Sequence, residues 1–138
     1  MKFYWTMPAS LKGDYTRELE KYQSELFKGN FSDVRRFYRM ADLFTLTSYG
    51  GETFSFAALE AMAFGLPCSL TNIGGADEMV IEGKTGVLSK SRTPASIAES
   101  WHQLLNRKLQ PYEIRQFVVE NFDAKRMFED YYKLLVKN

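Results

Sequence analysis

Thiol and imidazole chemistry are both scarce in this chain. One of its 138 residues is a cysteine, Cys68, and one is a histidine, His102. A single cysteine excludes an internal disulfide framework and a cysteine-built zinc site, and a single histidine excludes a multi-histidine metal cluster. An excess of one charge is lacking too: 18 Lys and Arg stand against 17 Asp and Glu. Binding along a phosphate backbone needs clustered basic residues, so nucleic acid is not expected as a partner. Long apolar runs are also missing. The most apolar stretch, 54–70, is interrupted by Glu60, Gly65 and Pro67 and does not suit a bilayer span. Residues 1–8 lack the apolar core of a signal peptide. The expected location is the cytoplasm, with the cytoplasmic face of a membrane as a variant of it.

The remaining composition, 45% hydrophobic and 25% charged, is that of one globular domain with enough apolar material for a single core. Residues 1–138 are therefore read as one domain. Charge is distributed unevenly along it. Residues 1–40 carry 8 basic and 5 acidic side chains, 41–100 carry 3 and 7, and 101–138 carry 7 and 5. The acidic middle is where the motifs fall.

No repeat or low-complexity tract is present. Strand and helix patterns alternate, which predicts an α/β domain with a Rossmann-like, doubly wound parallel sheet. Strands are expected at 2–7, 25–28, 43–47, 68–71 and 87–88. Helices are expected from Asp14 (with Tyr15, Leu19 and Tyr22 on one face), from a Ser32-Asp33 cap to Met40, and over 55–64, 76–81, 94–105, 111–120 and 123–136. Gly65 followed by Pro67 is a helix stop, and Thr93-Pro94 a helix start. Doubly wound sheets bind ligands beyond the carboxyl ends of their strands. The loops at 48–55 and 72–76 lie there and carry the chemistry sought.

The stretch from Gly51 to Pro67 is the most informative. A strand ends and a helix begins near Ser55. The first amides of a helix lack intrahelical partners, and with the positive end of the helix dipole they make an anion site. In an acidic segment these backbone donors, not Arg or Lys, would hold a phosphate. Glu60 lies about five residues into the helix, roughly 7–8 Å along its axis at 1.5 Å per residue. That is about the distance from a diphosphate to the ribose diol of the same nucleotide, and a carboxylate can accept from both hydroxyls. Glu52 precedes the helix, on the side where a sugar would lie. Taken alone, two glutamates eight apart read first as solvated side chains on a core helix. The apolar neighbours of Glu60 (Ala57, Ala58, Leu59, Ala61, Met62 and Ala63) argue for a buried or cleft-lining face.

With these residues in view, the chain resembles the C-terminal domain of retaining GT-B glycosyltransferases of family 4. The resemblance rests on Ala41-Asp42-Leu43-Phe44, Ser48, the Glu52–Glu60 pair at E-x7-E spacing, Glu60-Ala61-Met62-Ala63 with Gly65-Leu66-Pro67, Gly74-Gly75 with Glu78, and Gly83-Lys84-Thr85-Gly86. Phe122-Asp123 and the helix after them look like the family's C-terminal helix. The resemblance implies transfer of a sugar from a UDP- or GDP-sugar to an acceptor hydroxyl with retention of configuration, this chain supplying the donor-binding half. Glu52 would be the catalytic contact to the donor sugar and Glu60 would bind the ribose. Thr53, Phe54, Ser55 and Phe56 would meet the sugar and its phosphates, and Gly74 and Gly75 would let the backbone approach the cleft. No cofactor and no metal are implied. A glycan, lipid or protein acceptor would be taken by a separate N-terminal domain. Peripheral membrane contact and a homo-oligomer are compatible with this. A non-catalytic glycosyltransferase-like binding or chaperone subunit is the alternative, against which the intact pair of glutamates argues.

Two features depart from the family pattern. Glu52-Thr53-Phe54-Ser55 stands where the family reads E-G-F-G, so Thr53 and Ser55 both replace glycine. The first strand and helix of the family domain, which bear an Arg/Lys phosphate-binding pair, would precede Met1, so the chain is expected to be a fragment. G-x-G-x-x-G and G-x-x-x-x-G-K are absent, which disfavours dinucleotide and P-loop sites. Cys68 reads as a small core residue and His102 as a helix-surface residue. Phe3-Tyr4-Trp5 reads as a core strand. Residues 34–39 read as a solvated helix face, with anionic-membrane contact as a second reading. Tyr131, Tyr132, Leu134 and Leu135 read as the inner face of the last helix; the resemblance implies that this helix crosses toward the other domain of a complete enzyme, which would leave apolar surface exposed in this chain.

Overall fold

The computed structural model describes residues 4–7, 25–28 and 33–136. The chain forms two compact units, Met1–Ala41 and Asp42–Asn138.

In the first unit, β1 (Tyr4–Met7) pairs in parallel with β2 (Glu25–Lys28), in a register that places Tyr4 opposite Glu25. Helix α1 (Arg35–Met40) buries Phe37. Its cap differs from expectation. Val34 holds the cap position without a side-chain bond, and Asp33 accepts instead from the Arg35 amide at 3.0 Å. The Arg35 guanidinium also donates to Asp33, at 2.8 Å. These bonds favour the carboxylate and hold the acid of Asp33 down at about 2. The helix expected from Asp14, the side chains of Phe3, Tyr4 and Trp5, and Ser32 lie outside the described residues.

The second unit carries a parallel sheet of order β3-β4-β5: β3 (Phe44–Leu46), β4 (Cys68–Thr71) and β5 (Gly86–Ser89). Helix α2 (Phe56–Ala63) links β3 to β4, and α3 (Ala76–Met79) links β4 to β5. Three helices follow: α4 (Pro94–Asn106), α5 (Pro111–Phe122) and α6 (Ala124–Val136). Side chains alternate across a strand and match across a parallel ladder, so the register sorts the two faces. Cys68 and Leu70 share the face toward α2, where the Cys68 thiol lies 3.8 Å from the Ala58 carbonyl. Thr45, Ser69, Thr71 and Ser89 share the other face. There α4 meets the sheet through Ser100, 2.6 Å from the Ser69 hydroxyl, and through the Trp101 indole, which donates to Thr45 at 3.0 Å. Helices on both faces make the sheet doubly wound, as expected. Met62, Leu70, Met79 and Ile114 are fully buried between the layers.

Local chemistry sets the ends of α2. The Ser55 side chain accepts from the Ala58 amide at 3.2 Å, an N-cap bond. At the far end the Gly65 amide donates to Met62 and the Leu66 amide to Ala61, the pair of bonds of a Schellman stop. Gly65 takes φ +82 there, and a β-carbon on it would sit 2.7 Å from that of Pro111 at the start of α5. The Arg115 guanidinium of α5 donates to the Ala63 carbonyl at 2.9 Å. A cation there complements the negative end of the helix dipole.

Two expectations need correction. Helix α3 stops at Met79, because Val80 is already extended (φ −112, ψ 118). Helix α6 buries no residue. Tyr131, Tyr132, Leu134 and Leu135 are all exposed, so its amphipathic stripe faces outward within this unit.

Candidate functional site

The loops that follow β3 and β4 meet at the carboxyl edge of the sheet. The Gly75 amide donates to the Thr53 carbonyl at 2.7 Å. Gly74 takes φ +55, and a β-carbon on it would fall on the Glu52 carbonyl oxygen and 2.7 Å from that of Thr53. On Gly75 a β-carbon would meet the Phe54 ring at 2.8 Å. Both glycines are thus required by close approach to residues 52–54, and Gly74 also by its backbone conformation. The structure brings together Glu52, Thr53, Phe54, Gly74 and Gly75, five of the residues singled out from sequence.

Phe54 is half-buried and packs against Phe122 at the end of α5, ring centroids 5.5 Å apart. Phe122 packs in turn on Phe117 at 5.7 Å. Ser55 is buried by its cap role. Phe56 opens the helix with its ring 76% exposed. Among the described residues no acceptor is bonded to the amides of Phe54, Ser55 or Phe56. These donors sit at the positive end of α2, where negative charge is favoured.

Glu52 is half-buried ahead of the helix, and Glu60 lies on its second turn. Glu60 is exposed, so of the two expectations for its face, buried or cleft-lining, the buried one is set aside. The burial on α2 falls on Ala58, Ala61 and Met62, a stripe that leaves the 56–60 side open to solvent. Of the apolar neighbours of Glu60 in sequence, Ala58, Ala61 and Met62 belong to the buried side, while Ala57 is exposed beside it.

Sequence reasoning missed the residues that tie the β3–α2 loop from outside. The Thr71 hydroxyl, at the end of β4, donates to the Ser48 carbonyl at 2.8 Å. Arg92, in the loop after β5, donates to the Tyr49 carbonyl at 2.7 Å, and its guanidinium lies 5.7 Å from the centre of the Tyr49 ring. The loop at 90–93 also follows a strand end, so the strand-end rule that singled out 48–55 and 72–76 applies to it as well. Cys68 and His102 stand away from this edge: Cys68 is buried under α2, and His102 is exposed on α4. No described helix is long and apolar enough to cross a membrane.

The comparisons with known proteins agree with this architecture. The family model for glycosyl transferases group 1 matches residues 14–121. N-acetyl-alpha-D-glucosaminyl L-malate synthase of Bacillus anthracis is 33% identical over 110 residues, covering 77% of this chain and 29% of the relative. D-inositol 3-phosphate glycosyltransferase of Corynebacterium urealyticum is 34% identical over 100 residues, covering 72% of this chain and 23% of the relative. The chain thus spans less than a third of the length of these relatives. Among solved structures, a glycosyltransferase of Rickettsia africae superposes with TM-score 0.78 at 23% identity, over 99% of this chain and 41% of its own. Anabaena HepE, solved in complex with UDP and glucose, superposes with TM-score 0.74 at 20% identity, over 91% of this chain and 37% of its own. These likenesses extend the α/β reading to the GT-B fold. By the match of the family model over most of its length, this chain belongs to the glycosyl transferases group 1 family.

Proposed function

We propose that residues 1–138 are the C-terminal, donor-binding domain of a retaining glycosyltransferase of family 4 type. The enzyme moves a sugar from a UDP- or GDP-sugar to an acceptor hydroxyl without a metal or cofactor. One arrangement carries this reading: Glu52 and Glu60 stand before and within α2, on either side of the amides of Phe54, Ser55 and Phe56 at its start. In the reaction the bond from the anomeric carbon to the phosphate oxygen breaks, and the nucleoside diphosphate leaves with the electron pair. The new bond forms to the acceptor oxygen, whose proton passes to the leaving phosphate oxygen. Charge grows on the leaving phosphate, and the amides of Phe54, Ser55 and Phe56 are fixed donors for that charge. Glu60 accepts from the ribose hydroxyls, and Glu52 contacts the donor sugar beside the reacting carbon. Gly74 and Gly75 let the backbone come close to residues 52–54 at the edge of the cleft.

Support comes from the family match and from the fold shared with a protein solved with UDP and glucose. The acceptor, whether glycan, lipid or protein, is assigned to a separate N-terminal domain. The setting is cytoplasmic, with peripheral membrane contact and self-association as features of the complete enzyme. Calorimetric titration of the chain with UDP and with GDP tests the site. Hydrogen bonds to a charged group contribute about 1.5–3 kcal/mol each, so Glu60→Ala weakens nucleoside diphosphate binding by at least about tenfold. Unchanged affinity removes Glu60 from the site. Efficient turnover by the isolated chain overturns its assignment as a donor-binding half.

A further inference from the structure

Three carbonyls of the β3–α2 loop are tied to neighbouring segments: Ser48 by the Thr71 hydroxyl, Tyr49 by Arg92, and Thr53 by the Gly75 amide. Between the second and third of these ties lie Gly50, Gly51 and Glu52. A β-carbon on Gly50 or Gly51 would meet nothing within 4 Å, and Gly51 takes φ +75. Gly50 and Gly51 are loosely packed and rich in backbone freedom, whereas the Glu52 carbonyl that follows them is met by Gly74. Arg92 is well placed to restrain it, because its own backbone is anchored. Thr93 caps the 13-residue α4 by accepting from the Ser96 amide at 3.3 Å, and the Ser91 amide donates to the Ser96 hydroxyl at 3.0 Å. From that anchored turn the guanidinium reaches a residue 43 positions earlier, donating to its carbonyl and lying over its ring. A planar guanidinium can do both at once, whereas an ammonium has no plane to stack.

We propose that Arg92 is a positioning residue of this site: by holding Tyr49 from both its carbonyl and its ring, it fixes the 49–52 loop and so the place of the Glu52 carboxylate. The consequence for ligand binding rests on the donor-site reading above; the restraint on the loop does not. A side chain that only supported the fold would affect every ligand of the site alike. One that sets Glu52 affects the sugar end of the donor and spares the nucleotide.

The test uses the full 138-residue chain as wild type, Arg92→Ala and Arg92→Lys. Backbone order parameters are measured by nitrogen-15 relaxation without ligand, and affinities for UDP and UDP-glucose by calorimetry. In wild type the amides of residues 49–52 are expected near the rigid value of about 0.85; in Arg92→Ala they fall below about 0.6, with α4 unchanged. Arg92→Lys lies between, keeping the donation and losing the stacking. Arg92→Ala weakens UDP-glucose about fivefold and UDP less than about twofold, the larger loss being that of one modest hydrogen bond. Order parameters at 49–52 that match wild type in Arg92→Ala overturn the proposal. Equal losses for UDP and UDP-glucose overturn the part that concerns Glu52. If wild type binds neither ligand, the donor-site reading fails, and the relaxation data still decide whether Arg92 holds the loop.

Discussion

Gly74 lies so close to Glu52 that a β-carbon on the glycine would overlap the glutamate's main-chain oxygen. The contact joins the loops that end β3 and β4, and it is made by backbone, so it cannot relax by a change of rotamer. Gly74→Ala meets two obstacles, the carbonyls of Glu52 and Thr53 and a backbone at φ +55. A cost of about 1–3 kcal/mol is expected, by analogy with other residues held in the left-handed region. Urea denaturation reads it directly. The same variant loses nucleoside diphosphate affinity, because the Thr53 carbonyl, and with it the Phe54 amide, must shift. A midpoint and an affinity equal to wild type contradict the close approach of the two loops.

Ser55 stands where the family pattern has glycine, and its hydroxyl caps α2 by accepting from Ala58. Capping accounts for the substitution without a catalytic role for the hydroxyl. Ser55→Ala is expected to cost about 1 kcal/mol and Ser55→Gly only a few tenths, since glycine is tolerated at this position and alanine is not. Thermal melts of the two variants give the order. An alanine variant as stable as the glycine variant removes the cap bond from the account.

Much of this architecture was legible in the residues themselves. Gly65 with Pro67 ended α2 where the Schellman bonds now lie, and Thr93-Pro94 opened α4. Glycine, proline and capping side chains act over a few residues, and so does the alternation that marked β4. The failures have a common cause in longer-range packing. Glu60 sits among apolar neighbours in sequence, but which side of α2 is buried depends on β3, β4 and α5. The stripe on α6 has the spacing of an inner helix face, yet Leu134 and Leu135 are exposed, because spacing defines a face without defining what covers it. The meeting of the loops after β3 and β4 followed from the strand-end rule and its glycines. Arg92 and Tyr49 did not, because nothing local marks two residues 43 apart as neighbours.

The polar contact between Ser69 and Ser100 shows how α4 is seated on the sheet, and its proton inventory can be read. Ser100 donates to the Ile97 carbonyl at 2.6 Å, so its only proton is used there. The 2.6 Å contact with Ser69 therefore has Ser69 as donor and Ser100 as acceptor. The two deletions are then unequal. Ser100→Ala strands the buried Ser69 hydroxyl, at a cost of about 1–3 kcal/mol. Ser69→Ala leaves the Ser100–Ile97 bond intact and costs about 1 kcal/mol. The double variant loses less than the sum of the single ones, and denaturation of all four proteins gives the coupling. A larger loss in Ser69→Ala than in Ser100→Ala reverses the assigned donor.

Cys68 gives the fold a dependence on alkaline pH. It is fully buried between β4 and α2, and burial pushes its thiol far up from the ordinary value by excluding the thiolate. In the unfolded chain the same thiol ionises at about 8.5. Below that pH both states hold the proton, and Cys68 adds no pH dependence. Above it the unfolded state binds fewer protons than the native state, so stability falls as pH rises, by up to about 1.4 kcal/mol per unit from this one group. The loss continues until the pH reaches the native value. Lysines and tyrosines also titrate near pH 10, so the measurement is a difference. Urea unfolding of wild type and Cys68→Ala is compared from pH 7 to pH 10, and the wild-type curve is expected to fall more steeply beyond about 8.5. The same burial makes the native thiol unreactive toward a thiol reagent until the protein unfolds. Parallel stability curves for the two proteins, or rapid labelling of the native chain, would place Cys68 in contact with solvent.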